Sequence, residues 1–331
     1  MNAKTILDFL DRHRTARIAL MAHQRPDGDA IGSAVGLAAI LRGQGFQADV
    51  VNARPIPERL SFVVPDDTAV EFTSSKWWSN YDCLGLLDCG EPDRLDPDNR
   101  EAVTHLPCFT IDHHASSRGV GEATWIAPAA SSTGEMIVEL ARQANWTISQ
   151  AAAQALWVAI VTDTGRFSYE NTTLAALAAG MTCLEAGANP TEAANHIYQS
   201  VSRSERRLQA KVLERMEFTS EGRLATSWLL LSDFEAADVA NDGSLDLINL
   251  LRDTAGVEVA IFLTETRGTS PGDPAAVKAS LRTVAPHNAI SLVEQFGGGG
   301  HMRAAGCTLP FPMPEALATV KNAASTLFFG I

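Results

Sequence analysis

The stretch Ala16-Arg-Ile-Ala-Leu-Met-Ala22, followed by His23-Gln-Arg-Pro-Asp27-Gly-Asp29-Ala-Ile-Gly-Ser33, decides how the rest of the chain is read. It opens on a short apolar run of the kind shown by a strand buried on both faces. A polar turn then leads into Ile31–Leu41, whose apolar residues recur at helical spacing until Gly43. A buried strand running straight into a helix is half of a parallel β-α-β unit. Phe46–Val51, Cys83–Leu87 and Cys108–Ile111 repeat the strand signal, and the last two stop at an aspartate. The fold class expected is α/β, an N-terminal parallel sheet with helices on both faces, plus a smaller C-terminal α+β domain. Ligands of such sheets bind beyond the carboxyl ends of the strands, and there this chain places its acids and histidines.

From Ser131 onward the pattern turns helical. Ser132-Thr-Gly-Glu135 reads as a capping box opening one helix. Alanine-rich helices are expected at Ser149–Val161 and Leu174–Leu184, and Gly187-Ala-Asn-Pro190 breaks the run before another. The charged segment Arg203–Arg215 reads as a helical bridge, giving a first domain over 1–195, a linker over 196–216 and a second domain over 217–331. Strand-like segments follow at Leu224–Leu231, Val257–Thr264 and Val277–Arg282, with an exposed loop at Gly268–Pro274. A helix before Phe296, a glycine cluster and a last helix near Pro314–Phe328 complete the smaller domain. No internal repeat is visible.

Length fits this division, since 331 residues suit two domains. With 46% hydrophobic and 20% charged residues the composition is globular. A formal charge of -13 argues against diffuse coating of long nucleic acid, which needs a basic face. It leaves room for a short phosphorylated ligand held by a few arginines and cations. No apolar run reaches the roughly 18 residues of a membrane span, and the N-terminus lacks a signal-peptide core. The five cysteines show no C-x-x-C pairing and read as buried thiols. A cytoplasmic protein is expected.

His23, Asp27 and Asp29 lie on one turn after a strand. An imidazole and two carboxylates there offer mixed N/O donors suited to Mn2+, Fe2+, Co2+ or Zn2+, and Gly28 and Gly32 are expected to let the backbone bend around such a centre. A polar loop with aspartate caps explains the same residues equally well. Asp88 closes a hydrophobic strand, where a carboxylate needs a partner or a metal. Asp112-His113-His114 follows another strand. Neighbours on a strand face opposite ways, so one histidine is expected to bind metal while the other points elsewhere. Asp163 closes an apolar helix. Each cluster has a bland alternative in turns, buried histidines or helix ends, but four at successive element ends are hard to assemble from caps alone.

The combination of His23-x-x-x-Asp27-x-Asp29, Asp88, Asp112-His113-His114 and Asp163 resembles the DHH phosphoesterase superfamily. Gly297-Gly-Gly-Gly-His301-Met-Arg-Ala-Ala-Gly306 is similar to the signature of the associated DHHA1 domain. In length the chain resembles the compact oligoribonuclease (nano-RNase)/pAp phosphatase branch. The resemblance implies two divalent metal ions, Mn2+ first, with Mg2+, Co2+ or Fe2+ as alternatives. It implies one metal on His23, Asp27 and Asp88 and another on Asp29, Asp88, His113 and Asp163, with Asp88 bridging. Catalysis would then rest on Asp88 and on His114 facing the scissile phosphate, with Asp112 orienting a histidine. Two metals about 3.5–4 Å apart clamp a phosphate and lower the pKa of a bridging water. Four aspartates set against two divalent ions leave such a site near neutral.

Gly297–Gly300 exposes successive backbone N–H groups and reads either as an anion-binding nest or as a hinge. Gly299, Gly300, His301 and Arg303 favour a ligand pocket, and Arg282 matches a family position for substrate. A guanidinium pairs bidentately with a terminal phosphate or stacks on a base. The expected arrangement puts the active site in a cleft between the domains, acting on pAp or RNA of a few nucleotides and releasing 5′-mononucleotides. Cyclic or linear dinucleotides such as pApA are the alternative substrates, and a non-catalytic nucleotide sensor is the alternative of another class. Partners implied are short RNA oligonucleotides or nucleotide bisphosphates, no long duplex, no membrane, and a second copy in a homodimer. His13, His105, His196 and His287 read as surface or capping residues, the tryptophans as packing, and Asp233–Asp246 as a solvated face. Arg166 carries no assigned role.

Overall fold

The computed structural model describes residues 3–24, 26–52, 56–65, 69–71, 76–240, 247–267, 276–300 and 302–331. The loop expected over 268–274, residues 241–246 of the acidic stretch, and His301 lie outside the described residues. The chain divides into two units, Met1–Ser200 and Val201–Ile331.

In the first unit the elements follow one another as α1 (Ala3–Arg12), β1 (Arg17–Met21), α2 (Gly28–Gly43), β2 (Gln47–Asn52), β3 (Ala69–Glu71), β4 (Cys83–Leu87), α3 (Pro97–His105), β5 (Cys108–Asp112), β6 (Ala123–Ile126), α4 (Thr133–Ala144), α5 (Gln150–Asp163), α6 (Leu174–Glu185) and α7 (Pro190–Tyr198). Among the described residues six strands form one parallel sheet in the order β3-β2-β1-β4-β5-β6. Alternate residues of β1 feed two cores. Ile18 and Leu20 join the apolar residues of α1, α2, α4 and α5. Ala19 and Met21 pack on the opposite face with Trp77, Tyr81 and Ala102 of α3. Helices therefore cover both faces, as the continuous apolar strands require. The order reverses between β1 and β4, the switch point where α/β sheets open a crevice.

Helix α2 begins at Gly28, three residues before the expected start, because Asp27 caps it. Asp27 Oδ1 accepts from the amides of Asp29 and Ala30, each at 3.1 Å. Gly28 and Gly32 are therefore helical and bend nothing, which corrects the expectation for them. Their small size serves contact with α5. A Cβ at Gly28 would fall 2.4 Å from Thr162 Oγ1, and one at Gly32 would fall 2.4 Å from the Ala155 carbonyl oxygen. Ser132 accepts from the Glu135 amide at 3.0 Å, but Glu135 turns its carboxylate to Ser131, meeting its amide at 3.0 Å and its hydroxyl at 2.7 Å. The reciprocal box expected there is found instead at Ser202 and Glu205.

The second unit holds α8 (Arg203–Glu214), β7 (Glu217–Thr219), β8 (Leu224–Leu229), α9 (Leu231–Ala237), α10 (Asn249–Arg252), β9 (Val259–Thr266), β10 (Ala276–Thr283), α11 (Ala289–Val293), β11 (Gly299–Gly300), β12 (Ala304–Leu309) and α12 (Met313–Ala324). Its sheet runs β11-β12-β10-β9-β8-β7 and is mixed, with β8 and β9 parallel. Leu208 and Val212 of α8 pack with Ala225, Phe234 and Leu251 on one face of this sheet, so the helix belongs to the second unit. Residues of α11 and α12 cover the other face.

Asp233 is buried, not part of a solvated face. Arg215 donates to both its carboxylate oxygens, one of them at 3.0 Å, and the Leu230 amide donates at 2.8 Å. His287 lies 2.8 Å from Glu258 Oε2 and edge-on to Phe328 and Phe329, a packing position and not a surface one. His13, His105 and His196 stack on Phe9, Trp78 and Phe62. The five cysteines are buried free thiols, and burial pushes those of Cys83, Cys89 and Cys183 up to about 12. Among the described residues no helix is long and apolar enough to cross a membrane.

Candidate metal centre

The carboxyl ends of β1, β4 and β5 lie side by side, and each releases a chemically active residue one or two positions later. His23 follows β1, Asp88 follows β4, and His113 and His114 follow β5. Asp88 adopts a left-handed backbone (φ 55°) while its amide still donates to the Ile111 carbonyl at 3.0 Å. A non-glycine residue held there stores strain of the kind that collects at functional sites. Asp29 comes from the first turn of α2 and Asp163 from the last turn of α5, two helices brought close by Gly28 and Gly32.

These side chains converge. Asp88, His113 and His114 form one group able to hold a cation, His23, Asp27 and Asp88 a second, and Asp29, His113 and Asp163 a third, with donor atoms in each within 4.8 Å of one another. The two oxygens of Asp88 divide between them. Oδ2 faces His23 Nε2 at 3.5 Å, while Oδ1 lies 3.5 Å from His113 Nε2 and 3.3 Å from His114 Nδ1. His113 Nε2 also lies 3.2 Å from Asp163 Oδ2 and 3.7 Å from Asp29 Oδ2. Both histidines thus turn toward Asp88, contrary to the expectation that one would point away. Strand alternation ends with β5 at Asp112 and does not govern the two residues beyond it.

The hydrogen bonds fix how these groups present themselves. His113 Nδ1 lies 3.3 Å from the Ala130 carbonyl, an acceptor only, so that nitrogen carries a proton and Nε2 is the one that faces three carboxylates. Among the described residues His23 Nε2 is buried and finds no hydrogen-bond partner. Asp112 Oδ1 meets both Nδ1 (2.7 Å) and the backbone amide (3.1 Å) of His114.

Electrostatics point the same way. Burial pushes the Asp29 carboxyl well above the ordinary carboxylate range, and the charges of Asp88, Asp163 and Asp27 add to it, opposed by the Thr133 amide. For Asp88 burial is again the largest influence and acts upward, but the imidazoles of His114, His23 and His113 outweigh it and hold the carboxyl well below that range. His114 is pushed down by burial, yet Asp112 and Asp88 overcome this and raise it to about 10. Acids that repel one another, Asp29 and Asp88 among them buried, beside imidazole nitrogens that face them suit a divalent cation, which offsets the repulsion and accepts nitrogen as well as oxygen donors. The donor set fits a metal.

Several contributors lie outside the acid and histidine clusters, and of these only Asn171, in Asn171-Thr-Thr173 after Arg166, stands out in the sequence as able to position a helix or touch substrate. Ser33 Oγ donates to Asp29 Oδ1 at 2.9 Å. The amides of Thr133 and Gly134 donate to Asp29 Oδ2 at 2.7 Å and Oδ1 at 2.9 Å. Asn171 Nδ2 donates to the carbonyls of Ser131 (3.0 Å) and Asp163 (3.1 Å), tying the start of α4 to the end of α5. Arg166 is exposed, with its guanidinium 4.9 Å from the centre of the Tyr198 ring, and it and Phe167 have positive φ.

The second unit places the remaining candidates on its own sheet. Arg282 sits on the half-exposed side of β10 opposite Ala304, and its Nη1 donates to the Leu281 carbonyl at 3.0 Å. Arg303 immediately precedes β12 and donates to the His287 carbonyl. Gly299 and Gly300 pair with Gly306 and Ala305 as an exposed edge strand, so this part of the glycine run is no hinge. Gly300 has φ 143°, and a Cβ there would fall 2.6 Å from the Ala304 carbonyl oxygen.

Comparison with known proteins accords with this geometry. Residues 17–160 match the model of the DHH family, N-terminal domain, and residues 224–327 match that of the DHHA1 domain. A bifunctional oligoribonuclease and PAP phosphatase NrnA of Thermus thermophilus is 30% identical over 88% of this chain and 84% of its own length. The protein of the same name from Bacillus subtilis is 24% identical, over 88% of this chain and 89% of its own. A crystal structure of an exopolyphosphatase-related protein from Bacteroides fragilis superposes with a TM-score of 0.86 at 25% identity, covering 98% of this chain and 96% of that one. Two domain models matched in order, and a relative of that identity covered over most of its length, place the chain in the DHH family of phosphoesterases that carry a DHHA1 domain.

Proposed function

We propose that the protein is a metal-dependent phosphoesterase that hydrolyses short oligoribonucleotides to 5′-mononucleotides and pAp to AMP. The observation that carries the proposal is the division of the Asp88 carboxylate, one oxygen toward His23 and the other toward His113 and His114. A carboxylate so divided suits two cations, one held by His23, Asp27 and Asp88 and the other by Asp29, Asp88, His113 and Asp163. When bound, divalent ions such as Mn2+ supply the positive charge that activates water and steadies the phosphate. His114, anchored at Nδ1 by Asp112, offers its other nitrogen to a phosphate oxygen as a hydrogen-bond donor.

Arg282 and Arg303, with the backbone of Gly299 and Gly300 and the side chain of His301, are the proposed grip on the nucleotide. Their guanidinium groups supply the positive charge that the acidic centre lacks. The relatives named for oligoribonuclease and PAP phosphatase activity support this choice of substrate. Five buried free thiols accord with a cytoplasmic setting. A homodimer is part of the same reading, and the apolar side chains that α6 exposes at Leu174, Leu177, Met181 and Leu184 support it.

The test is a panel of pAp, pApA, a pentaadenylate, cyclic di-AMP and pyrophosphate incubated with the protein and Mn2+. AMP released from pAp and from the pentaadenylate is the expected result, abolished by EDTA and restored by Mn2+. Full turnover in EDTA, or turnover of pyrophosphate alone, would overturn the proposal.

A further inference from the structure

One residue at the start of α4 touches an acid from each of two other segments. The Thr133 amide donates to Asp29 Oδ2 at 2.7 Å, and its hydroxyl donates to Asp88 Oδ1 at 3.2 Å. Asp29 and Asp88 are 1% and 2% exposed, so neither has bulk water to orient it. Asp29 is further held at Oδ1 by the Gly134 amide and the Ser33 hydroxyl. Asp88 Oδ1 also faces His113 Nε2 and His114 Nδ1, and each of these lies closer to another carboxylate, Asp163 at 3.2 Å and Asp112 at 2.7 Å.

We propose that Thr133 is a positioning residue of the metal centre, its hydroxyl fixing which oxygen of Asp88 serves which group of donors. The inference rests on the reading of the cluster as a metal centre. A carboxylate that shares its oxygens between two donor sets loses that division if it rotates about its Cβ–Cγ bond, which is a broad and soft torsion. The Thr133 hydroxyl opposes that rotation from outside both sets. Its amide holds Asp29 through the backbone, so a change of side chain leaves that bond in place and isolates the hydroxyl. Groups that orient metal ligands in this way change affinity by about 10–100-fold when removed.

Thr133→Val keeps the shape and the backbone donor and removes the hydroxyl, while Thr133→Ser keeps the hydroxyl. Thr133→Ala serves the same purpose if the valine variant fails to fold. Titration with MnCl2 by calorimetry, beside thermal unfolding in EDTA, separates the roles. The expected result is Mn2+ affinity lowered at least about 10-fold in Thr133→Val and restored to within about 2-fold in Thr133→Ser. kcat should fall with affinity, KM for pAp should stay constant, and the melting temperature in EDTA should hardly move. Equal Mn2+ affinity in the wild type and Thr133→Val would overturn the role of Thr133 alone. Wild-type protein that takes up no Mn2+ would overturn the metal reading and this role with it.

Discussion

Asp112 Oδ1 accepts two hydrogen bonds from the same residue, His114, through its ring at 2.7 Å and its backbone at 3.1 Å. Asp112 belongs to none of the three donor groups able to hold a cation. It is fully buried at the end of β5, and its Oδ1 anchors His114, which in the proposed function makes it a positioning group for that histidine. Asp112→Ala should therefore lower kcat on pAp by a factor on the order of 100, the scale of lost acid–base positioning. Mn2+ affinity should stay within a few-fold of wild type. Paired turnover and calorimetric measurements check this, and a parallel collapse of both would make Asp112 part of the metal shell.

The approach of α2 to α5 sets the spacing between Asp29 and Asp163. A Cβ at Gly32 would lie 2.4 Å from the Ala155 carbonyl oxygen, a backbone atom that cannot swing aside. Gly32→Ala should destabilise the first unit by about 1–3 kcal/mol, the range for forced overpacking, and should weaken Mn2+ binding because it pushes the two acids apart. Gly43 ends the same helix, and a Cβ added there would meet nothing within 4 Å. Gly43→Ala should leave stability unchanged or raise it by up to about 1 kcal/mol. Denaturant unfolding of the two variants side by side provides the measurement.

The centre is legible in the sequence because most of its residues stand where an apolar run stops. Asp88, Asp112 and Asp163 end stretches whose hydrophobicity alone marks a buried element, and an acid in that position needs a reason. Thr133 carries no such mark. Its contacts span 104 residues to Asp29 and 45 to Asp88, and nothing local in Ser132-Thr-Gly-Glu135 distinguishes a helix cap from a clamp on distant carboxylates. The glycines of α2 are visible but ambiguous, since bending freedom and close helix contact both call for the smallest residue. Strands β3 and β6, of three and four residues, are too short for alternation to be read. Helix α1 escapes a reading that weighs the N-terminus only as a targeting signal, although Ile6, Phe9 and Leu10 are buried on one face.

Asp233 ties α9 to Arg215 in the second unit, and its titration gives a signed prediction. Burial pushes its carboxyl up, but the Arg215 guanidinium and the Leu230 amide outweigh burial and hold it below the ordinary carboxylate range. A carboxyl whose native pKa lies below its unfolded value of about 3.9 contributes stability that is present above that pH and lost as pH falls through the native pKa. Asp233→Asn should thus be less stable than wild type at pH 7 by about 1–3 kcal/mol, because a partly buried guanidinium loses its charged partner. The difference should shrink as pH is lowered from about 5 toward 3. Urea unfolding followed at pH 7 and pH 4 tests both parts, and a gap that widened toward acid would contradict the assignment.

Helix α6 presents its large apolar side chains outward. Leu174 is 87% exposed and Met181 57%, with Leu177 and Leu184 also exposed, at spacings that put all four along one face. Glu185 is the only charged residue in the helix, so this face lacks the cations that would draw it to an acidic lipid surface. A second copy of the same helix, related by a twofold axis, would cover it with matching side chains. In the proposed dimer, Leu177→Lys combined with Met181→Lys should bring like charges together at the axis. The mass measured by light scattering should fall from two chains to one, while Mn2+ affinity should stay unchanged because α6 supplies no donor to the centre. A wild-type protein that elutes as a single chain at micromolar concentration would remove α6 as the dimer surface.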